Sequence, residues 1–137
     1  MSILLDTGVL VAALNRRDRF HRWARRLLVE VLEGRYGAPY VTDYIVDEAL
    51  SFAAARLGRE PALRLGALFF EKRVFRIIPV TFDLVLEAWE VYRSHLPRLS
   101  FTDAATVVAA RAYRVDYLAT LDGDLALLHP SVTPGRG

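Results

Sequence analysis

A chain of 137 residues, 53% apolar and 25% charged, is long enough to fill one hydrophobic core and too apolar to remain disordered. Having no cysteine, it cannot form disulfides, thiolate zinc sites or cysteine nucleophiles, and its three histidines, His21, His95 and His129, are too scattered for a histidine-rich zinc site. The net charge is only +2, yet the basic residues are almost all arginine, with Lys72 the single lysine.

Residues 2–5 form an apolar run of strand length, followed past Asp6-Thr7-Gly8 by a helical stretch over 9–14. Asn15 and Arg16-Arg17 break the pattern, and Asp18 is a candidate N-cap for a second helix over 18–33. That helix would put Phe20, Trp23, Ala24, Leu27 and Val31 on one face and Arg19, Arg22, Arg25 and Arg26 on the other. The arginine face suits either plain solvation or phosphate contacts, since guanidinium groups pair with phosphates in a bidentate manner. Arg16, Arg17, Arg19 and Arg22 are the candidate nucleic-acid-contact residues if the second holds.

Gly34 and Gly37 end the second helix, residues 38–41 form a weak strand, and Thr42 caps a third helix over 43–56 that stops near Gly58. A fourth helix over 60–72 carries Pro61 in its first turn, where the ring is tolerated. Residues 74–80 are rich in β-branched side chains and predict a strand, with Pro79 near its end. Thr81 caps a fifth helix reaching His95, and Ser100 opens a sixth over 101–114. A strand over 117–121, a short helix over 122–128 and an edge strand over 131–133 complete the chain, with the tail after about residue 130 expected to fray.

Helices alternating with short apolar strands predict parallel pairing through crossover connections. The expected fold is one domain over 1–137, a three-layer α/β/α sandwich around a central, mainly parallel sheet of four to five strands. No apolar stretch approaches the roughly 18 residues that cross a bilayer. The N-terminal apolar run lacks a basic flank and contains Asp6, so it does not resemble a secretory signal. These features predict a soluble, cytoplasmic protein without a membrane partner.

Four carboxylates stand where such a sheet gathers its ligands. Asp6 follows the first strand and Asp122 a later one, so both should emerge beyond the carboxyl ends of the strands. Asp103 fits a capping box with Ser100, but its helix, Ala104 to Ala110, is apolar nearly all round and should be buried. A carboxylate at the mouth of a buried helix is costly unless donors or a cation compensate. On the third helix Ile45, Val46, Ala49, Leu50, Phe52 and Ala53 define an apolar face. Glu48 borders it and Asp47 points the other way, into water.

Converging acids without neutralising lysines repel one another unless a divalent cation binds, and an oxygen-only donor set points to Mg²⁺ or Mn²⁺. The natural chemistry is phosphodiester hydrolysis.

Leu5-Asp6-Thr7-Gly8-Val9-Leu10, Val46-Asp47-Glu48-Ala49-Leu50, Thr102-Asp103-Ala104 and Thr120-Leu121-Asp122-Gly123-Asp124-Leu125 resemble, in order and spacing, the motifs of the PIN-domain family. More narrowly, they resemble the VapC-type ribonuclease toxins of prokaryotic toxin–antitoxin modules. The resemblance spans essentially the whole chain. It implies that Asp6, Glu48, Asp103 and Asp122 coordinate Mg²⁺ or Mn²⁺ for endonucleolytic RNA cleavage, with Thr120 in support and Asp124 as the alternative fourth acid. It also implies homodimerisation and a cognate antitoxin. Many relatives place an aromatic where Leu125 stands.

Three other readings compete. A housekeeping PIN-domain nuclease would share the acids but lack the antitoxin, and a non-catalytic module would act through its arginines or dimer surface. Leu5-Asp6-Thr7-Gly8 also resembles the aspartic-protease signature, but that family is built almost wholly of strands, whereas here the motif runs into a helix. No glycine-rich phosphate loop and no Gly-x-Ser-x-Gly elbow is present.

Overall fold

The structure, a computed structural model, describes residues 1–135. Five strands, β1 (Ser2–Leu5), β2 (Ala38–Thr42), β3 (Arg76–Ile78), β4 (Tyr117–Ala119) and β5 (Ser131–Val132), form one sheet in the order β3-β2-β1-β4-β5. Every pairing is parallel, with Leu4 opposite both Tyr40 and Leu118. The connecting helices are α1 (Thr7–Leu14), α2 (His21–Leu32), α3 (Asp43–Phe52), α4 (Arg59–Gly66), α5 (Phe82–His95), α6 (Phe101–Ala112) and α7 (Gly123–Ala126). Right-handed crossovers carry α1 to α4 over one face and α5 and α6 over the other. α1 packs on α2 and α3, and α5 packs on α6, so the three-layer arrangement expected from the alternation is observed.

Ile3, Leu4, Leu5, Val41, Leu118 and Ala119 are fully buried, because helices cover both faces of the central strands. Each such large side chain contributes roughly 1.5–3 kcal/mol by leaving water, which holds β1 and β4 rigidly side by side. β3 is shorter than its β-rich sequence suggests. It is an edge strand, and Pro79 has no N–H to extend the ladder. No helix is long and apolar enough to cross a membrane among the described residues.

Several boundaries differ from expectation for local reasons. Asp18 does not cap α2. Its carboxylate accepts from the Phe20 N–H at 2.8 Å in a tight turn, and the helix starts at His21. The third helix narrows to Asp43–Phe52 and ends in a π-helical turn, Ala53–Leu57, closed by the Gly58 N–H bonding to the Ala53 carbonyl. A second π-helical turn, Ala67–Glu71, ends the fourth helix in the same way. Beyond residue 130, expected to fray, β5 pairs with β4, while 136 and 137 lie outside the described residues. Gly37 is required where it stands, since its φ is +73° and a Cβ there would sit 2.0 Å from the Met1 carbonyl oxygen.

Candidate active site

The sheet order reverses direction between β1 and β4. Successive crossovers lead from β1 outward to β2 and β3, and from β4 the other way to β5. In open parallel sheets this switch point is where ligands bind, because the connections diverge and leave a crevice. Asp6 and Asp122 occupy the carboxyl ends of the two strands that flank it.

Asp6 is the N-cap of α1 and is 7% exposed. One carboxylate oxygen accepts from the Thr7 N–H at 2.8 Å, and the other accepts from the Thr120 hydroxyl at 3.0 Å. Thr120 is fully buried and in turn accepts from the Asp122 N–H at 3.0 Å, so one hydroxyl fixes both acids across the crevice. Asp122 caps α7, its Oδ1 accepting from the N–H groups of Asp124 and Leu125. Asp124 is exposed on the first turn of α7, whereas Asp122 is half-buried at the strand end.

Burial pushes the Asp6 carboxyl up to about 7, and the nearby charge of Asp103 pushes it in the same direction. Glu48 adds a smaller push, against the opposing pull of the Thr120 and Thr7 donors. The fields of three acids from three elements, the end of β1, α3 and α6, therefore meet. No ion pair among the described residues offsets them.

Asp103 has both features that its sequence context allows. Its capping box is complete, with the Ser100 hydroxyl accepting from the Asp103 N–H at 3.0 Å and Asp103 Oδ2 accepting from the Ser100 N–H at 2.9 Å. Its charge still reaches Asp6, and the neighbouring Thr102 lines the cleft that holds Glu48.

Glu48 is exposed and makes no hydrogen bond among the described residues. It lines an open cleft of about 560 Å³ with Tyr44, Asp47, Ser51, Phe52 and Thr102. Asp47, expected to face away, borders the same cleft and accepts a long 3.5 Å hydrogen bond from Ser51. Phe52, expected in the core, is 40% exposed at the cleft. The buried face of α3 is Ile45, Val46 and Ala49, and Phe52 lies one turn beyond Glu48 on its border. The i, i+4, i+8 spacing of Tyr44, Glu48 and Phe52 was the sequence signal for this row.

Among the described residues, no three Asp, Glu or His side chains are gathered closely enough to chelate an ion as they stand. The donor set nonetheless suits a hard divalent cation: one buried carboxyl, Asp6, that the charges of Asp103 and Glu48 repel, with the Thr7 Oγ1 beside it also buried and without a hydrogen-bond partner among the described residues. The arginines divide into two groups. Arg16 and Arg17, following α1, line a cleft with Arg56, whereas Arg19 and Arg22 line another with Trp23, Arg26 and Pro134. None of the four lines the cleft that holds Glu48.

Comparison with known proteins identifies the family and the fold. The family model for the PIN domain matches residues 3–128. A protein of Archaeoglobus fulgidus described as a VapC ribonuclease is 27% identical over 121 residues, which is 87% of this chain and 76% of that protein. The crystal structure of Mycobacterium tuberculosis VapC20, described as a toxin cleaving the sarcin-ricin loop, superposes with a TM-score of 0.79 at 27% identity, covering 91% of this chain and 93% of that one. A toxin–antitoxin complex from Klebsiella pneumoniae shares the fold at 21% identity, with a TM-score of 0.71 and coverage of 97% and 98%. An all-strand aspartic-protease architecture is incompatible with the parallel α/β sheet, and the chain belongs to the PIN domain family.

Proposed function

We propose that this protein is a Mg²⁺- or Mn²⁺-dependent endoribonuclease and the toxin of a toxin–antitoxin pair, with Asp6, Glu48, Asp103 and Asp122 as the acids that hold the metal. The observation that carries the proposal is Asp6. It is a buried carboxyl at the switch point, its proton affinity raised by two further acids, with no arginine or lysine paired to it among the described residues. A divalent cation relieves that repulsion.

When bound, such an ion lowers the pKa of a coordinated water and polarises a phosphoryl oxygen. The chain's own part is to hold the donors. Thr120 and the Thr7 N–H fix both oxygens of Asp6, Ser100 orients Asp103, and Thr120 steadies the Asp122 backbone. Glu48 faces the cleft. Asp122 is favoured over Asp124 because it is half-buried beside Thr120, whereas Asp124 is exposed.

RNA as substrate is supported by the relatives described as a VapC ribonuclease and as a sarcin-ricin loop cleaving toxin. An antitoxin partner is supported by the Klebsiella toxin–antitoxin complex of the same fold. Homodimerisation fits the row Phe82, Leu86 and Trp89 on α5, exposed at 72%, 51% and 50% and spaced to form one apolar stripe. A cytoplasmic location belongs to the same reading.

The test is incubation of purified protein with labelled RNA, with Mg²⁺, with Mn²⁺ and with EDTA. Metal-dependent cleavage by the wild type and a loss of about 100-fold or more in Asp6→Asn and Asp103→Asn are expected. Equal cleavage by wild type and both variants would overturn the assignment. Co-purification of a small protein encoded alongside separates a toxin from a housekeeping nuclease.

A further inference from the structure

Resting on the nuclease reading, we infer that one base of the RNA stacks on the Phe52 ring and that the adjoining backbone is led by Arg56 toward Arg16 and Arg17. Successive turns of one helical row carry Tyr44, Glu48, Phe52 and Arg56, the first three on α3 and the last in the π-helical turn that continues it. The row passes from an acid of the candidate site to an exposed aromatic ring and then to a cation. The Arg56 guanidinium lies 5.9 Å from the centre of the Phe52 ring, which links the acidic cleft to the next one. That next cleft is lined by Arg16, Arg17, Arg56 and Asn15.

None of Arg16, Arg17 or Arg56 forms an ion pair among the described residues, so their charge is available to phosphates. Four residues of α3 separate Glu48 from Phe52, a rise of about 6 Å, and the π-helical turn carries the row on to Arg56. The track thus extends beyond the scissile bond.

The Phe52 ring, 40% open to water, lines the cleft of Glu48 and lies beside the Arg56 guanidinium, which leaves an aromatic face free between an acid and a cation. A base covers that face at little cost in sequence preference, since every base has a π-face. A base paired in a helix does not present that face, because its neighbours already cover it. Ser51 and Thr102 place hydroxyls in the same cleft, where they can meet a ribose 2′-OH or a base edge.

The test uses the Asp6→Asn protein, which holds RNA without cutting it, and short single-stranded RNAs carrying 2-aminopurine at successive positions. Quenching of the fluorophore at one position is expected in this background. Adding Phe52→Leu should abolish it and weaken binding at least about fivefold, and Phe52→Tyr should keep both. Arg56→Gln should lower the slope of log affinity against log salt by about 0.7. The same sequence, fully paired, should bind more weakly and show no such quenching.

If wild type cleaves RNA but Phe52→Leu leaves quenching and affinity intact, the stacking inference is wrong and the nuclease reading stands. If Phe52→Leu instead changes the mass of the particle in solution without affecting RNA binding, Phe52 belongs to a protein interface and the inference is overturned. If wild type neither binds nor cleaves RNA, both fall together.

Discussion

Replacing Asp6 with asparagine should stabilise the metal-free protein at pH 8 while eliminating cleavage. In the unfolded chain this carboxyl ionises near 3.9, whereas in the folded protein burial, Asp103 and Glu48 raise it to about 7. Between those values the unfolded chain has released a proton that the folded chain keeps. The contribution of this carboxyl to stability is therefore highest below about pH 4, falls as pH rises to about 7, and levels off above it. At 1.36 kcal/mol per pH unit, the full loss is about 4 kcal/mol. Asparagine avoids it, because its oxygen can accept from the Thr7 N–H and its amide can donate to Thr120 Oγ1, which has a lone pair to spare.

With imperfect replacement of those two bonds, a gain of about 1–3 kcal/mol is expected at pH 8, a rise of roughly 3–10 °C in Tm for a chain of this size. Thermal melts in EDTA at pH 4.5, 6 and 8 measure it. The gain should vanish near pH 4.5, and Mg²⁺ should raise the Tm of wild type far more than that of the variant. A variant less stable than wild type at pH 8, or one whose shift is the same at every pH, refutes the reasoning.

Thr120→Val removes the hydroxyl that serves Asp6 and leaves the Asp122 N–H without that acceptor. A loss of about 1–3 kcal/mol in chemical denaturation and a further rise in the Asp6 carboxyl pKa, read by carbon-detected NMR titration, are expected. Asp122→Asn should reduce RNA cleavage far more than Asp124→Asn; the reverse order in a cleavage assay would move the fourth acid onto α7. Gly37→Ala should destabilise by more than about 1 kcal/mol in denaturant melts, since it adds a Cβ into the Met1 carbonyl at a positive φ.

The local signals were legible in the residues themselves. Thr42, Thr81 and Ser100 cap the helices that their side chains predict, and the apolar runs that begin at Ser2 and Tyr117 are parallel strands, buried from Ile3 and from Leu118 onward. Helical phase separated Glu48 from Asp47 only in part: both border one cleft, and of the two Glu48 alone adds to the rise of the Asp6 carboxyl. Asp18 was misread because an aspartate that closes a turn and one that caps a helix look alike in sequence, both satisfying a backbone N–H two or three residues on.

What the sequence determined by itself was therefore periodic and local: strand or helix, caps, and the chemistry of a set of hard oxygen donors. Tertiary structure alone decided the rest. Sheet order brings the ends of β1 and β4 together, so that Thr120 spans Asp6 and Asp122 across 114 residues of chain. It also decided that Phe52 faces a cleft rather than the core, and that Arg16 and Arg17 lie beside Arg56 while Arg19 and Arg22 lie elsewhere. The physical reason is that desolvation and charge repulsion depend on which groups share a space. That follows from crossover direction and packing, which no run of neighbouring residues encodes.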